Sequence, residues 1–252
     1  MAKIRLRALV AAGLALALWA PASAQERSTP DQMTPAEVEA IERVVRDYLL
    51  RHPEVLVEAL KEFEARAARQ AADAQRKAVA ERRDELLNDP AAPVGGNPDG
   101  AVTVVEFFDY QCPYCKSVAG TLVETVEGEG DVRIIFKEFP ILGPASEFAA
   151  KAALAAHQQG KYLDFHLALM ASRGKLSEDQ VLVVAERSGL DLDRLRVDME
   201  APWIAEALAR NQALAEILQV RGTPAFVIGD EVVPGAISME RMRELIAAER
   251  GS

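Results

Sequence analysis

Apolar positions follow three different rhythms along the chain. An uncharged, mostly apolar run of 13 residues covers Ala8 to Ala20. Val38, Ile41, Val45, Tyr48 and Leu49 then recur at the spacing of one helical face, and Leu56, Leu60 and Phe63 form the next stripe. Thr34 can cap the first of these helices, with Pro35 at its first position and Glu37 placed for a capping box. Pro53 interrupts the pattern; a mid-helix proline costs ~3 kcal/mol, so a break is expected there. From Ala65 to Ala80 the chain is mostly alanine and charge, which predicts a long helix with a thin apolar face. Such a helix bridges solvent or packs against another copy of itself.

Asn88 to Gly100 reads NDPAAPVGGNPDG, and its prolines and glycines stop any helix. A domain boundary is expected near 88–92. Beyond it the apolar residues come in compact blocks. VTVVEFF (102–108), VRIIF (132–136) and AFVI (225–228) read as buried strands, and Gly229-Asp230 reads as a hairpin turn into a short strand from Glu231 to Val233. A helix is expected from Cys112 to about Glu127. Residues 145–172 and 177–218 read as helices joined by a turn at Ser172-Arg173-Gly174. Ser238 is the N-cap candidate of a closing amphipathic helix that ends at Arg250. The order β-α-β, helical block, β-β-α predicts an α/β domain behind an all-α N-terminal segment over 31–87.

Composition adds two exclusions. With 50% hydrophobic and 27% charged residues in 252, wholesale disorder is excluded. A formal charge of -10 excludes a general nucleic-acid binder, which needs a net basic face. Charge also explains the first apolar run. Lys3, Arg5 and Arg7 precede it and Ala22-Ser23-Ala24 follows it, the layout of a secretory signal peptide cleaved after Ala24. The run is short for a transmembrane helix. Cleavage would take the charge to -13 and place the chain outside the cytoplasm, where disulfides form and persist.

That destination bears on Cys112 and Cys115, the only two cysteines. Cys112-Pro113-Tyr114-Cys115 lies between a predicted strand and a predicted helix. Zinc would need further ligands from a second CxxC or a His pair, and the sequence has neither, so no metal site is assigned. A static bridge enclosing two residues restrains little loop entropy. Redox exchange fits better. A sulfur at a helix N-terminus meets free N–H groups and the positive dipole end, which favour the thiolate. Cys115, one turn inside, would be more buried and could attack a mixed disulfide on Cys112 without any cofactor. Gly222-Thr223-Pro224 precedes the AFVI strand, and its proline removes a strand N–H.

VEFFDYQCPYCK followed far downstream by GTPAFVIG resembles the thioredoxin superfamily in its DsbA-like branch. The resemblance covers about 92–252 and implies a thioredoxin fold with a helical insertion at about 144–218. It further implies that Pro224 is cis and lies beside the cysteines, leaving nearby backbone free to pair with an extended substrate. Thr223 would tune the nucleophile, and Pro113, Tyr114, Thr223 and Pro224 would contact substrate. Glu106 matches an acidic residue that relays protons to the buried cysteine, a task suited to a carboxylate whose pKa burial has raised. Lys137, in IIFKEFP, is its expected charge partner.

IERVVRDYLLRHPEVLVEALKEFE (41–64) is similar to the N-terminal segment of suppressor-of-copper-sensitivity C (ScsC) proteins. Some members carry it as an oligomerising stalk and act as trimeric disulfide isomerases. A homo-oligomer through 34–87 is therefore expected, although Gln70, Lys77 and Glu81 would interrupt a coiled-coil seam. DsbA has a histidine between its cysteines; Pro113-Tyr114 supplies no cation, which implies a milder, isomerase- or reductase-like potential. Substrates would be misfolded or reduced secreted proteins, a membrane redox partner would reset the thiols, and the location would be the periplasm. The alternatives are a dithiol oxidase and a copper(I)-sequestering protein, because two soft thiolates suit Cu(I). Trp203 reads as packing beside Leu208, and His157 and His166 are assigned no role.

Overall fold

The computed structural model describes residues 33–251, so the expected signal peptide lies outside the described residues. Two compact units divide between Lys61 and Glu62. In the N-terminal unit, helix α1 (Pro35–Arg51) opens on the expected capping box. Thr34 Oγ1 accepts from the Glu37 amide, and Glu37 Oε2 accepts from the Thr34 amide at 2.8 Å. Pro53 ends the continuity, and α2 (Glu54–Glu81) begins one residue later. No residue of α1 is buried; Ile41, Val45 and Tyr48 are each about half exposed.

Helix α2 runs on into the larger unit, where its thin apolar face finds a partner. Val79, with Leu86 of the short helix α3 (Arg83–Leu87), is buried against Val105, Phe107, Ile135 and Val227. Gln75 Nε2 also donates to the Leu218 carbonyl at 2.8 Å. Those last turns therefore do not bridge solvent, and the division falls before the Pro/Gly-rich segment at 88–92. The longer Pro/Gly-rich stretch from Asn88 to Gly100 also holds an unexpected strand, β1 (Val94–Gly96). Its glycines explain themselves: Gly96 has φ +66°, and a Cβ there would sit 2.5 Å from the Val132 carbonyl oxygen.

Strand β2 (Val102–Phe108), helix α4 (Pro113–Glu129) and strand β3 (Val132–Glu138) form the expected β-α-β. Strands β4 (Ala225–Ile228) and β5 (Glu231–Pro234) and helix α10 (Met239–Arg250) close the unit, with Ser238 capping α10. The sheet order is β1-β3-β2-β4-β5, with β2 and β3 parallel and every other pair antiparallel. Alternation along each strand gives the sheet two cores. One contains Val104, Phe108, Ile134, Phe136 and Phe226 with α4, α10 and the insertion. The other is the core that takes Val79 and Leu86.

The insertion contains five helices instead of two: α5 (Pro144–His157), α6 (Tyr162–Ala171), α7 (Glu178–Arg187), α8 (Leu192–Met199) and α9 (Pro202–Ile217). Gly160 and Gly189 sit at φ +66° and +75° just past α5 and α7, where a left-handed residue ends a helix. Asp191 caps α8, and Pro202 occupies the first position of α9. Trp203 and Leu208 pack against the core, as expected.

Candidate active site

Strand β2 delivers the chain to a tight turn, Asp109-Tyr110-Gln111, closed by the Cys112 amide on the Asp109 carbonyl at 3.0 Å. Cys112 is the N-cap of α4, and Pro113 stands at its first position, where no intrahelical N–H is needed. Cys112 keeps 4% exposure and Cys115 none, while Tyr114 between them is 65% exposed. No disulfide joins the two sulfurs in this structure.

Strand β4 brings the distant motif to the same place. It pairs with β2 so that Ala225 faces Phe107, which sets the Thr223-Pro224 peptide against the start of α4. That peptide is cis. The Cys112 thiol donates to the Thr223 carbonyl oxygen at 3.2 Å. Cys112, Cys115, Thr223 and Pro224, separated by over a hundred residues in sequence, thus form one site. Beside it a cleft of about 340 Å³ is lined by Val220, Thr223, Pro224, Val232 and Gln75.

Burial governs the protons here. Cys115 is pushed far above the ordinary thiol range, first by burial and then by the charges of Glu106 and Cys112 nearby; the Asp109 backbone amide works the other way. Glu106 is fully buried, and neither carboxyl oxygen meets a hydrogen-bond donor among the described residues. Burial pushes it up to about 8, so at neutral pH it holds a proton.

Lys137 is not the partner of Glu106. In the β2–β3 register Glu106 lies opposite Phe136 and Lys137 opposite Phe107. One residue of offset sends the two side chains to opposite faces of the sheet. Lys137 instead donates to Asp89 Oδ2 at 2.8 Å and to the Glu85 carbonyl at 3.0 Å, fastening the segment before β1. Arg210 adds a second charge 3.6 Å from Asp89. Lys137 therefore stands on the face of the sheet opposite Glu106 and does not pair with it.

Several buried polar residues were not singled out from sequence. The Tyr110 and Tyr162 hydroxyls both donate to Glu138 Oε1, at 3.0 and 2.8 Å, and His166 Nδ1 lies 3.1 Å from the Tyr110 oxygen. Burial raises Glu138 well above the ordinary carboxylate value and lowers His166 to about 3, so burial works against charge at both groups of this network. It ties the turn before Cys112 to α6. Only the adjacency of Tyr110 to the CxxC hinted at it.

A sheet of this order, a dithiol at a helix N-terminus and a cis-proline against the outer sulfur define a thioredoxin-fold dithiol protein. Residues 103–247 match the DSBA-like thioredoxin domain, and the chain belongs to that family. Residues 37–70 match the copper resistance protein ScsC N-terminal domain. A thioredoxin-like oxidoreductase from Silicibacter pomeroyi DSS-3 is 49% identical, covering 68% of this chain and 98% of that one, with a TM-score of 0.66. Proteus mirabilis ScsC, in a transitional conformation, is 29% identical over 87% of this chain and 99% of its own, also with a TM-score of 0.66. Among curated proteins, the Na(+)/H(+) antiporter NhaA 1 of Salinispora arenicola is 31% identical over 157 residues. The chain spans about a quarter (24%) of that relative's length. Among the described residues no helix is long and apolar enough to cross a membrane.

Proposed function

We propose that this chain is a periplasmic thiol:disulfide oxidoreductase that reduces and isomerises disulfides in exported proteins through Cys112 and Cys115. The observation that carries this reading is the Cys112 sulfur at a helix N-terminus and 3.2 Å from the carbonyl before cis-Pro224. Cys112, as thiolate, attacks a substrate disulfide; that S–S bond breaks, a mixed disulfide forms and one substrate thiolate leaves. The ionised fraction of Glu106, about a tenth at pH 7 for a pKa near 8, accepts the Cys115 proton, and Cys115 attacks the Cys112 sulfur. The Cys112–Cys115 bond forms, the second substrate thiolate leaves and takes up a proton, and the dithiol has been oxidised by two electrons. A membrane reductant returns them. In isomerisation, a freed substrate thiol attacks the mixed disulfide before Cys115 does. Tyr114 and the backbone around Thr223 and Pro224 bind the substrate chain. Lys137 keeps a structural part alone.

Isomerase over oxidase is favoured by two features. Pro113-Tyr114 brings no cation to the outer sulfur. The uncovered apolar face of α1 suits self-association, which would set several sites around one substrate. In this reading residues 34–87 form a homo-oligomer, a trimer by resemblance to ScsC, and residues 1–24 direct export. The test is reactivation of a scrambled multi-disulfide protein by the mature chain and by Ile41→Asp/Val45→Asp, with light scattering on both. The expected result is an oligomer that reshuffles bonds and a dissociated variant that mainly transfers disulfides. A wild-type mass of one chain, or no reshuffling, defeats the reading. The copper reading rests on the name of the matched N-terminal family and on the same two sulfurs; copper retained through desalting without disulfide exchange would favour it.

A further inference from the structure

The turn Ser172-Arg173-Gly174-Lys175, between α6 and α7, lies beside the start of α4. One side chain fastens it there. Lys116, the residue after Cys115, donates from Nζ to the Ser172 carbonyl at 2.8 Å and to the Ser172 hydroxyl at 3.3 Å. Ser172 is the C-cap of α6, so the ammonium answers the carbonyl end of that helix. Burial holds Lys116 below the ordinary lysine value, and the charge of Asp109 works against that.

A cleft of about 530 Å³ opens between the two elements, with Pro113, Lys116 and Ser117 on one side and Met170, Ser172 and Arg173 on the other. Gly174 has φ +82°, and Arg173 and Lys175 on either side of it are exposed. Among the described residues neither makes an ion pair or a hydrogen bond. Asp179, which lines the adjoining cavity with Arg173 and Arg187, stands beyond ion-pair distance of both. Elsewhere exposed arginines sit beside carboxylates, as Arg194 does with Asp198 and Arg241 with Glu244. The segment MASRGKLS (170–177) has no acid, although the chain carries a net charge of -10. Two uncompensated cations therefore flank the CxxC turn.

We infer that Arg173 and Lys175 form a carboxylate-recognising arm beside the CxxC, and that it selects substrate polypeptides with an Asp or Glu near the reacting cysteine. This rests on the dithiol reading above. Cations next to a reaction centre speed encounter with oppositely charged partners and disfavour like-charged ones. The cleft suits a polypeptide because both of its sides include exposed residues, Pro113 and Ser117 facing Arg173 and Gly174, which leaves room for a chain to pass. Lys116 is a positioning residue. Its own charge is taken up by the end of α6, and its part is to fix Ser172 so that Arg173 stands beside Pro113.

Three mixed-disulfide peptides test it, identical except for Glu, Gln or Lys beside the cysteine, with KM and kcat read for the full mature chain at low and high salt. The wild type is expected to favour the Glu peptide over the Gln peptide by about fivefold in kcat/KM at low salt, carried by KM, and to disfavour the Lys peptide. High salt should erase the difference. Arg173→Ala/Lys175→Ala, two exposed changes, should abolish it. Lys116→Met should lower the preference and Lys116→Arg restore it, while a merely structural part for Lys116 would depress all three peptides alike. Equal rates on the Glu and Gln peptides in the wild type overturn the arm. A preference that survives the double alanine variant overturns its assignment to this turn. One untouched by Lys116→Met overturns the positioning role. A loss in the double variant confined to glutathione disulfide, a small anionic substrate, overturns the polypeptide as occupant. No exchange with any peptide overturns the dithiol reading itself, and this inference with it.

Discussion

On the thiol face of the sheet Glu106 is buried with neither oxygen bonded, whereas on the opposite face Lys137, buried as deeply, meets Asp89 at 2.8 Å. The two residues stand one position out of register on adjacent strands. Glu106 answers burial by giving up its charge, with a pKa near 8. Lys137 answers it by pairing. Burial pushes Asp89 up, but the hydrogen bond and charge of Lys137 outweigh it and hold the carboxyl below the ordinary range. An unpaired buried acid is costly for stability and suited to exchanging a proton. A paired one fixes a segment of chain and has no proton to offer. Partnering, more than depth, separates the two.

Substitutions should pull these roles apart. The largest effect is expected from Cys112→Ser, which should abolish disulfide exchange with little change in the urea midpoint; Cys115→Ser should instead accumulate a mixed disulfide visible by mass spectrometry. Lys137→Met leaves Asp89 without its buried partner and should lose about 3 kcal/mol in urea unfolding. Exchange per folded molecule should hold, and its collapse would show that the faces are not separable. Glu106→Gln is expected to slow the Cys115 step by about 100-fold in rapid-mixing experiments.

The same variant should change the pH profile of stability. A folded pKa near 8 exceeds the ordinary value of 4.5, so between those limits the folded chain binds the extra proton. Stability from this group is therefore full below pH 4.5 and falls by ~1.4 kcal/mol per pH unit up to pH 8. Glu106→Gln should flatten that slope. Asp89 has the opposite sign: its contribution is present above the ordinary carboxylate range and is lost as pH falls through its lowered pKa. The smallest expected effect is that of Tyr110→Phe. It removes one bond to buried Glu138 and should cost ~1–2 kcal/mol in unfolding with exchange largely kept, since a partnered group on the thiol face is structural too.

Local signals carried much of this into the sequence. Thr34 with Glu37, Pro53, the block VTVVEFF and the CPYC turn each act within a few residues, and each forms the element expected. Strand β1 escaped because VGG offers no side-chain alternation, only backbone pairing with β3. Gly160 and Gly189 were readable as helix stops and would have divided the insertion correctly. Lys137 was misplaced because its face depends on the register between two strands, which neither strand encodes alone. Lys116 and the Tyr110–Glu138–Tyr162–His166 network depend on contacts across 24 to 56 residues, beyond any local pattern.

The packing of Val79 and Leu86 has a consequence for how such a chain can be cut or recombined. The Pro/Gly-rich segment looks like the natural seam, yet a break there would uncover Val105, Phe107 and Ile135 and remove the Glu85 carbonyl from Lys137. A protease acting between 62 and 87 would strip a wall from the sheet. The portable piece begins at Glu62 and carries most of a helix as its handle, so grafting it onto another anchor means splicing helix to helix in phase.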